Sequence, residues 1–471
     1  MATDTSLTDS TKVPVICVQG LGFVGAAVAA ALASRKSKAG APLFRVIGVD
    51  LNNQQGRARI AAINEGLFPF ATEDPTLVAA IKEGHLVGNL SATDNQDVYA
   101  EADIVIVDVH LDVEENHPPT VDFTHFKEAI HILGSKIQEG TLVIIETTVP
   151  PGTTQRIVAP ILTACARGRG LPEDAFLLAH AYERVMPGQH YLNSIINFWR
   201  VFAGYTPRAA IACRTFLSSF INIEEFPLTE LPSTTASEIA KVMENSYRAV
   251  NIAFIEEWAR FAEATAVDLY AVIDAIRIRP THNNMRQPGF GVGGYCLTKD
   301  PFFAGIAARD LFKLSHLEFP FSEMAVETNN RMPLVSCATL AGLMGGFAGK
   351  RVLMLGITYR QDVADTRFSP AQIFAQAIKD EARITAHDPL VTYWPEMDMP
   401  VLNALPRADS IDGVIFCVPH QFYTQLDLSA WLREATPPPA ILDANNVLSH
   451  AQRAAVVEAG CAFASIGRGQ S

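Results

Sequence analysis

The chain has 471 residues, too many for one ordinary core at ~150 residues per domain, and so points to two or three domains. Hydrophobic residues make up 49% and charged residues 18%, a globular balance that excludes a disordered chain. A formal net charge of −13 excludes a general binder of nucleic acid or of an anionic membrane surface, so a phosphate ligand would need a local cluster of arginine and lysine.

The polar start of the chain carries no apolar signal core, and the alanine-rich stretch after Gly25 is short and runs into Arg35 and Lys36. Residues 13–20 are an apolar run ending in glycine and read as a strand; 22–34 read as an alanine-rich helix and 44–50 as a second strand. Residues 103–109 and 141–149 are β-branched strands with a helical stretch near 126–136 between them. This βαβ alternation predicts a parallel sheet covered by helices.

From 234 to about 266 the chain has neither proline nor glycine. Ile239, Val242, Met243, Tyr247, Val250, Phe254, Trp258 and Phe261 recur there at helical spacing, predicting a long helix suited to a domain connector or a dimer interface. A third region begins near 349–350, with strands at 351–355, 383–387, 413–418 and 440–442 and a helix after Ser369 and Pro370. Residues 345–351 lack the spacing of a P-loop and precede a strand rather than a helix. The predicted fold is α/β, with two Rossmann-like doubly wound domains joined by a long central helix and a helical domain. The expected segments are 13–228, 229–345 and 346–471.

Two motifs carry chemistry. Gly20, Gly22 and Gly25 form G-x-G-x-x-G between a strand and a helix, with Phe23 and Val24 completing the turn. Gly20 allows the tight turn, Gly22 lets a pyrophosphate approach the backbone, and Gly25 lets helix and strand pack closely. The helix N-terminus then offers unpaired N–H groups and a positive dipole end to the phosphates. Asp50 ends the next strand, where a carboxylate bonds the ribose hydroxyls and repels a 2′-phosphate, so the cofactor expected is NAD rather than NADP.

The second motif is the run 288–300. Four glycines (Gly289, Gly291, Gly293 and Gly294) fall within six residues just before Cys296, and allow the backbone to approach a ligand closely. Cys296 is followed by Lys299 and Asp300, and a nearby cation favours the thiolate form of a nucleophile. The other cysteines, Cys17, Cys165, Cys213, Cys337, Cys417 and Cys461, bring the total to seven. An odd number with no C-x-x-C spacing argues against a disulfide framework or a structural zinc site. A cytoplasmic protein without a metal site is expected.

The chain resembles the nucleotide-sugar 6-dehydrogenase family, which includes UDP-glucose, UDP-N-acetylhexosamine and GDP-mannose dehydrogenases. The resemblance runs from Val13 to about Gly467. It rests on an ordered set: GLGFVG at Gly20, ETTVPPGTT at Glu146, ERVMPG at Glu183, ASEIAKVMENSYRAVNIAF from Ala236, GFGVGGYCLTKDP around Cys296, and GITYRQDVADTR ending at Arg367. It implies a four-electron oxidation of a UDP-sugar by two NAD molecules in turn, in polysaccharide biosynthesis, by a homodimer or higher homo-oligomer.

By the same resemblance, Cys296 is the nucleophile that forms a thioester. Lys241 and Asn245, one helical turn apart, stabilise oxyanion character. Asp300 orients lysine and water, and Thr148 and Glu183 position water or substrate, with Thr148 also near the cofactor. Arg360 stands where the family has a lysine contacting the nucleotide sugar, and Arg367 matches an arginine near the cofactor. Phe290, Gly293 and Tyr359 join the substrate contacts. Arg279 corresponds to an arginine that crosses a dimer interface, with Arg277 competing for that place.

The pattern departs from the family at three places. A Pro-Thr-Pro-like turn that touches cofactor is replaced by His110-Leu111-Asp112, a nucleotide-binding arginine stands as Asn446, and a second glutamate stands as Pro187. ETTVPPGTT and ERVMPG resemble the N-acetylhexosamine branch, whereas GGYCLTKD resembles the UDP-glucose branch, so the sugar stays open. The competing readings are a two-electron β-hydroxyacid-type dehydrogenase, which needs no cysteine, and a non-catalytic sugar-nucleotide sensor.

Overall fold

The computed structural model describes residues 12–114, 116–185 and 187–469. The first eleven residues and Met186 of the ERVMPG motif lie outside the described residues. Contacts divide the chain into two units: Met1–Val242 with Phe303–Glu318, and Met243–Phe302 with Phe319–Ser471.

The first unit is built on one eight-stranded sheet. Its strands are β1 (Val15–Gln19), β2 (Arg45–Val49), β3 (Leu90–Thr93), β4 (Ile104–Val107), β5 (Leu142–Ile145), β6 (Leu177–Tyr182), β7 (Val201–Gly204) and β8 (Thr229–Glu230). The order is β3-β2-β1-β4-β5-β6-β7-β8. The first six are parallel, and β7 turns antiparallel to β6. Strands such as IVIV in β4 and LVII in β5 are apolar on both faces because helices cover both. Strand order reverses between β1 and β4, which opens a crevice at their carboxyl ends.

The helices here are α1 (Phe23–Ala33), α2 (Gln54–Asn64), α3 (Pro75–Val87), α4 (Thr124–Lys136), α5 (Ala159–Gly168), α6 (Tyr191–Ile196) and α7 (Pro207–Phe220). Helix α1 consists largely of alanine and is buried from Gly25 to Ala33, small side chains letting it lie close to its neighbours. Asn53 and Asp74 cap α2 and α3 by accepting backbone N–H bonds. Residues 303–318 join this unit rather than their sequence neighbours: Arg309 Nη2 donates to Pro119 O at 2.7 Å, and the Arg156 guanidinium stands 4.2 Å over the Phe312 ring.

Helix α8 (Thr234–Ala264) is the long helix the periodicity predicts, 31 residues without a break. It starts in the first unit and ends in the second. Its apolar residues are divided between faces: Val242 and Ile255 are buried, whereas Met243, Tyr247, Phe254, Trp258 and Phe261 are exposed along one stripe. Periodicity identified the helix correctly but not which of these residues the chain itself covers.

The second unit adds α9 (Leu269–Arg277), the short α10 (Phe303–Ile306) having returned to the first, then α11 (Pro320–Met344) and α12 (Pro370–Ile378). Its main strands are β9 (Arg351–Leu355) and β10 (Arg383–His387), a small hairpin of β11 (Tyr393–Trp394) and β12 (Met399–Pro400), then β13 (Gly413–Phe416), β14 (Ala440–Asp443) and β15 (Phe463–Ser465). The order β10-β9-β13-β14-β15 is parallel throughout and again reverses, here between β9 and β13. Ser369 caps α12 with Pro370 in its first turn, as read from the sequence. Helix α11 continues through Pro333 and ends at Gly345, which adopts φ 72°. The glycines once suggestive of a P-loop therefore form a helix stop and a turn into β9. Both sheets are doubly wound, as expected, and among the described residues no helix is long and apolar enough to cross a membrane.

Candidate active site

The glycine turn separates internal packing from room for a ligand. Gly20 has φ +95°, and a Cβ there would lie 2.4 Å from Asp108 O. At Gly25 a Cβ would lie 2.0 Å from Gly20 O, so only glycine lets α1 start this close to β1. Gly22 differs: it is the N-cap of α1, and its nearest neighbour to an added Cβ is the His110 ring at 3.7 Å, an ordinary contact. The chain's own packing does not require glycine at position 22, whereas a pyrophosphate on the α1 N-terminus does.

Asp50 follows β2, and its carboxylate accepts Leu21 N–H at 3.3 Å and Leu51 N–H at 2.7 Å. Arg59 on α2 pairs with the same carboxylate at 3.2 Å and lies 5.7 Å over the Phe70 ring, which in turn stacks on Phe23 at 3.9 Å. These residues fit a dinucleotide: a cradle at Gly22, an oriented carboxylate at a strand end, and an aromatic pair beside them. Val24 is half-buried in the first turn of α1.

A row of charges follows the carboxyl ends of β4, β5 and β6. Asp108 and Glu146 are buried carboxyls, each with one oxygen lacking a hydrogen-bond partner. Burial is the main cause that raises both groups; the Glu146 and Glu183 charges push Asp108 further up, while the Arg200 guanidinium opposes the rise at Glu146. Beyond them Lys241 Nζ donates to Glu183 O at 2.9 Å, stands 3.6 Å from Glu183 Oε1, and lies 5.4 Å from the Tyr182 ring centre. Both Lys241 and Glu183 side chains are largely buried.

Just after β5, the Thr147 hydroxyl donates at the carboxyl end of β4, 3.1 Å from Val107 O and 3.0 Å from Val109 O, leaving Thr148 half-buried one residue on. Glu238, on α8 one turn before Lys241, accepts Gly152 N–H at 2.5 Å and Thr154 N–H at 2.7 Å. Burial raises the Glu238 carboxyl to about 7, against those bonds. His180 is fully buried against Ser237 Oγ at 2.8 Å, and burial lowers it to about 3, so it is neutral.

In the second unit Cys296 is exposed, whereas the other six cysteines are buried, and none forms a disulfide. Asp300 N–H donates to Cys296 O at 3.0 Å, which closes a turn between the two residues. The Asp300 carboxylate is fully buried and doubly held: Asn245 Nδ2 donates to one oxygen at 2.8 Å and Lys299 Nζ to the other at 2.8 Å. Lys299 also lies 4.4 Å from the Tyr295 ring centre. Lys299 is thus a lysine partner of Asp300 that the sequence reading did not assign.

The glycines before Cys296 also do something the sequence reading missed. A Cβ on Gly291 would meet Pro370 at 2.8 Å, on Gly293 Phe368 O and Tyr359 Cβ at 2.8 Å, and on Gly294 the Tyr359 ring at 2.8 Å. The close approach is to the chain's own 356–370 segment. Phe290 belongs to the core, 6.0 Å from the Phe374 ring, so what it offers a ligand is its backbone.

Tyr359 is half-buried and burial pushes its hydroxyl up to about 12, while Arg360 beside it is exposed. Arg367 is forked onto Asp365 with two contacts of 2.9 Å, and that bonding raises it. Arg277 is committed to Met285 O at 2.9 Å through Nε, whereas its competitor Arg279 is exposed. Asn446, at the position of the missing arginine, accepts a bond from Arg468 Nη2 at 3.1 Å, and Arg468 also pairs with Asp268. Thus Gly20, Gly22, Phe23, Gly25, Asp50, Thr148, Glu183 and Lys241 fall in one unit, and Asn245, Cys296, Asp300, Tyr359, Arg360 and Arg367 in the other. Lys241 and Asn245 follow one another by one turn of α8.

Three family models match the chain. The NAD binding domain of the UDP-glucose/GDP-mannose dehydrogenase family matches residues 14–217, its central domain 235–331 and its UDP binding domain 353–450. A UDP-N-acetyl-D-mannosamine dehydrogenase from Pyrococcus horikoshii is 28% identical, over 96% of this chain and 99% of that one. The solved structure of a UDP-D-ManNAc dehydrogenase from Pyrococcus horikoshii matches with a TM-score of 0.80 at 27% identity, covering 97% of this chain and 100% of the other. An NDP-N-acetyl-D-galactosaminuronic acid dehydrogenase from Methanosarcina mazei Go1 matches with a TM-score of 0.77 at 25% identity, covering 98% and 96%.

Proposed function

Because the chain belongs to the UDP-glucose/GDP-mannose dehydrogenase family, as an NAD-dependent nucleotide-sugar dehydrogenase, we propose that it oxidises the C6 alcohol of a UDP-sugar to the carboxylate through a thioester on Cys296. The observation that carries this reading is that Cys296 is exposed and lies four residues before Asp300, a buried carboxylate held by Asn245 and Lys299. A two-electron oxidation of an alcohol needs no such nucleophile.

The cofactor, when bound, accepts the hydride that each oxidation removes from C6. The residues do the rest. The alcohol loses its proton as C6 loses the first hydride, and Lys241 and Asn245 stabilise the oxygen's negative character. The Cys296 thiolate adds to the resulting aldehyde and makes a thiohemiacetal, in which the C–S bond has formed and the carbonyl oxygen carries the charge. Loss of the second hydride leaves a thioester. Water then adds to it, its proton passing toward Asp300, and the thiolate leaves with the carboxylate formed. Glu183 and Thr148 position water and the sugar. Gly20 to Gly25 and Asp50 hold the dinucleotide, and Tyr359, Arg360 and the backbone of Phe290 and Gly293 receive the nucleotide sugar. Arg367 serves the cofactor, and Arg279 reaches a second subunit.

We take the sugar to be an N-acetylhexosamine, since the relatives named above act on N-acetylated sugars. The three segments 13–228, 229–345 and 346–471 serve cofactor binding, catalysis with dimerisation, and nucleotide-sugar binding. The exposed stripe of Met243, Tyr247, Phe254, Trp258 and Phe261 on α8 supports a homodimer. Seven cysteines without a disulfide support a reducing, cytoplasmic location.

The test is a panel of UDP- and GDP-sugars scored for NADH and uronate. Two NADH per sugar consumed is the expected count; one NADH per sugar means a two-electron enzyme. Tight UDP-sugar binding with no NADH from any sugar means a sensor.

A further inference from the structure

Three residues remote in sequence meet at the carboxyl ends of β9, β10 and β13 in the second unit: Thr358, Asp388 and His420. All three are fully or almost fully buried. Their resemblance to a hydrolytic triad is superficial, because no substrate atom reaches a hydroxyl with no exposure. Their bonds instead fix one segment of chain.

The His420 ring is held in a single tautomer. Asp362 N–H donates to Nδ1 at 2.9 Å, which assigns the lone pair to Nδ1; Asp362 Oδ1 lies farther from that atom, at 3.4 Å. The ring proton is then on Nε2, which faces Thr358 Oγ1 at 3.0 Å and Asp388 Oδ2 at 3.3 Å. Thr358 Oγ1 donates onward to Arg360 O at 3.0 Å, and Asp388 Oδ2 accepts Ile357 N–H at 2.8 Å. One imidazole therefore links directly or through one residue to Ile357, Thr358, Arg360 and Asp362. Asp362 is a non-glycine residue at φ 53°, a conformation that costs free energy and persists only when its surroundings hold it. The His420 bond to its N–H and the bond from Gln421 N–H to its side chain at 3.2 Å do so.

The segment so fixed carries Tyr359, whose N–H donates to Asp365 O at 2.9 Å. Its ring and Cβ lie where Gly293 and Gly294 leave no room for a side chain. Gly294 N–H also donates to Phe368 O at 3.2 Å. Two residues later comes Cys296.

We propose that His420 is a positioning residue: it sets Tyr359 and Arg360 for the nucleotide sugar and, through Tyr359 packed on Gly293 and Gly294, sets the backbone that presents Cys296. This rests on the reading that the 356–367 segment receives the substrate nucleotide.

The experiment uses the full-length enzyme with His420→Leu, which removes both ring bonds, and His420→Asn, whose side-chain oxygen restores an acceptor near Nδ1. Arg360→Ala checks the underlying reading. UDP affinity is measured by calorimetry, the Cys296 alkylation rate with iodoacetamide, and NAD affinity as the control from the other unit. His420→Leu is expected to weaken UDP binding about tenfold and to change the alkylation rate several-fold, with NAD affinity unaltered. His420→Asn is expected to recover most of both losses. Should His420→Leu not fold, His420→Gln, which keeps a donor toward Asp388 and lacks the Nδ1 acceptor, makes the same comparison. A folded His420→Leu with native UDP affinity and native alkylation rate, while Arg360→Ala loses UDP, overturns the proposal. Native UDP affinity in Arg360→Ala overturns the substrate reading and the first half of the proposal with it; the alkylation rate then decides the second half.

Discussion

Substituting Gly22 and Gly25 one at a time separates a ligand's demand for glycine from the fold's. Gly25→Ala puts a methyl carbon 2.0 Å from Gly20 O, a backbone atom that cannot rotate aside. Relieving that overlap moves α1 off the sheet, at a cost of about 1–3 kcal/mol. Better helix propensity returns roughly 0.5–1 kcal/mol. At ~2–4 °C per kcal/mol for a unit of this size, the melting temperature falls by several degrees. Gly22→Ala meets only the His110 ring at 3.7 Å, and its φ of −66° suits any residue. Its stability cost is confined to a poorer N-cap, about 1 kcal/mol or less. The same methyl faces the N-terminus of α1, where the pyrophosphate is expected. Scanning calorimetry and NAD titration on both variants read the two effects. Gly22→Ala should melt within about 4 °C of the parent yet bind NAD at least about tenfold more weakly. Parental NAD affinity in Gly22→Ala would refute the assignment of this turn to the cofactor.

Other consequences are equally direct. Iodoacetamide near neutral pH should label Cys296 and leave the other six thiols unmodified, since burial pushes Cys17 and Cys337 up to about 12 and Cys461 to about 11; peptide mapping that finds a second fast-reacting thiol contradicts this. Asp300→Ala leaves the Lys299 ammonium buried without its carboxylate and should cost about 3–5 kcal/mol in urea unfolding, a loss that Asp300→Asn reduces only in part; an unchanged midpoint in Asp300→Ala tells against the buried pair. Glu238 is raised in the folded chain from 4.5 to about 7, so folded protein holds a proton there that unfolded protein has released. Its contribution to stability is therefore greatest below pH 4.5 and declines by roughly 3 kcal/mol as pH rises through 7. Glu238→Gln should flatten that part of the pH–stability curve, and parallel curves for the two proteins would disprove it. Trp258→Glu combined with Phe261→Glu should convert the enzyme to monomers in light scattering; an unchanged mass would remove α8 from the subunit interface.

Much of the site was legible because its parts are short linear patterns. The glycine turn, Asp50 and the cysteine run each fall within a few residues, and α8 announces itself by 31 residues without proline or glycine. What escaped the reading depends on contacts between distant positions. Arg200 meets Glu146 across 54 residues, Glu238 meets Gly152 across 86, and His420 meets Thr358 across 62. No local pattern marks either partner. Strand β6, LLAHAY, was missed because it has no β-branched residue and carries a buried histidine. Helix α11 was not read because Pro333 lies inside it, where a proline ordinarily signals an end. The glycines at 289–294 were seen, but their neighbours are Asn445 for Gly289 and Tyr359, Phe368 O and the Pro370 ring for the others, which sequence spacing does not reveal.

The proposed mechanism requires a covalent bond between Cys296 and C6 of the sugar. Acid-quenching the enzyme in a single turnover and weighing the peptide that contains Cys296 tests it. This peptide should carry the mass of the acylating nucleotide sugar, and Cys296→Ser should release no uronate. An unmodified Cys296 peptide, together with full uronate release by Cys296→Ser, would contradict it.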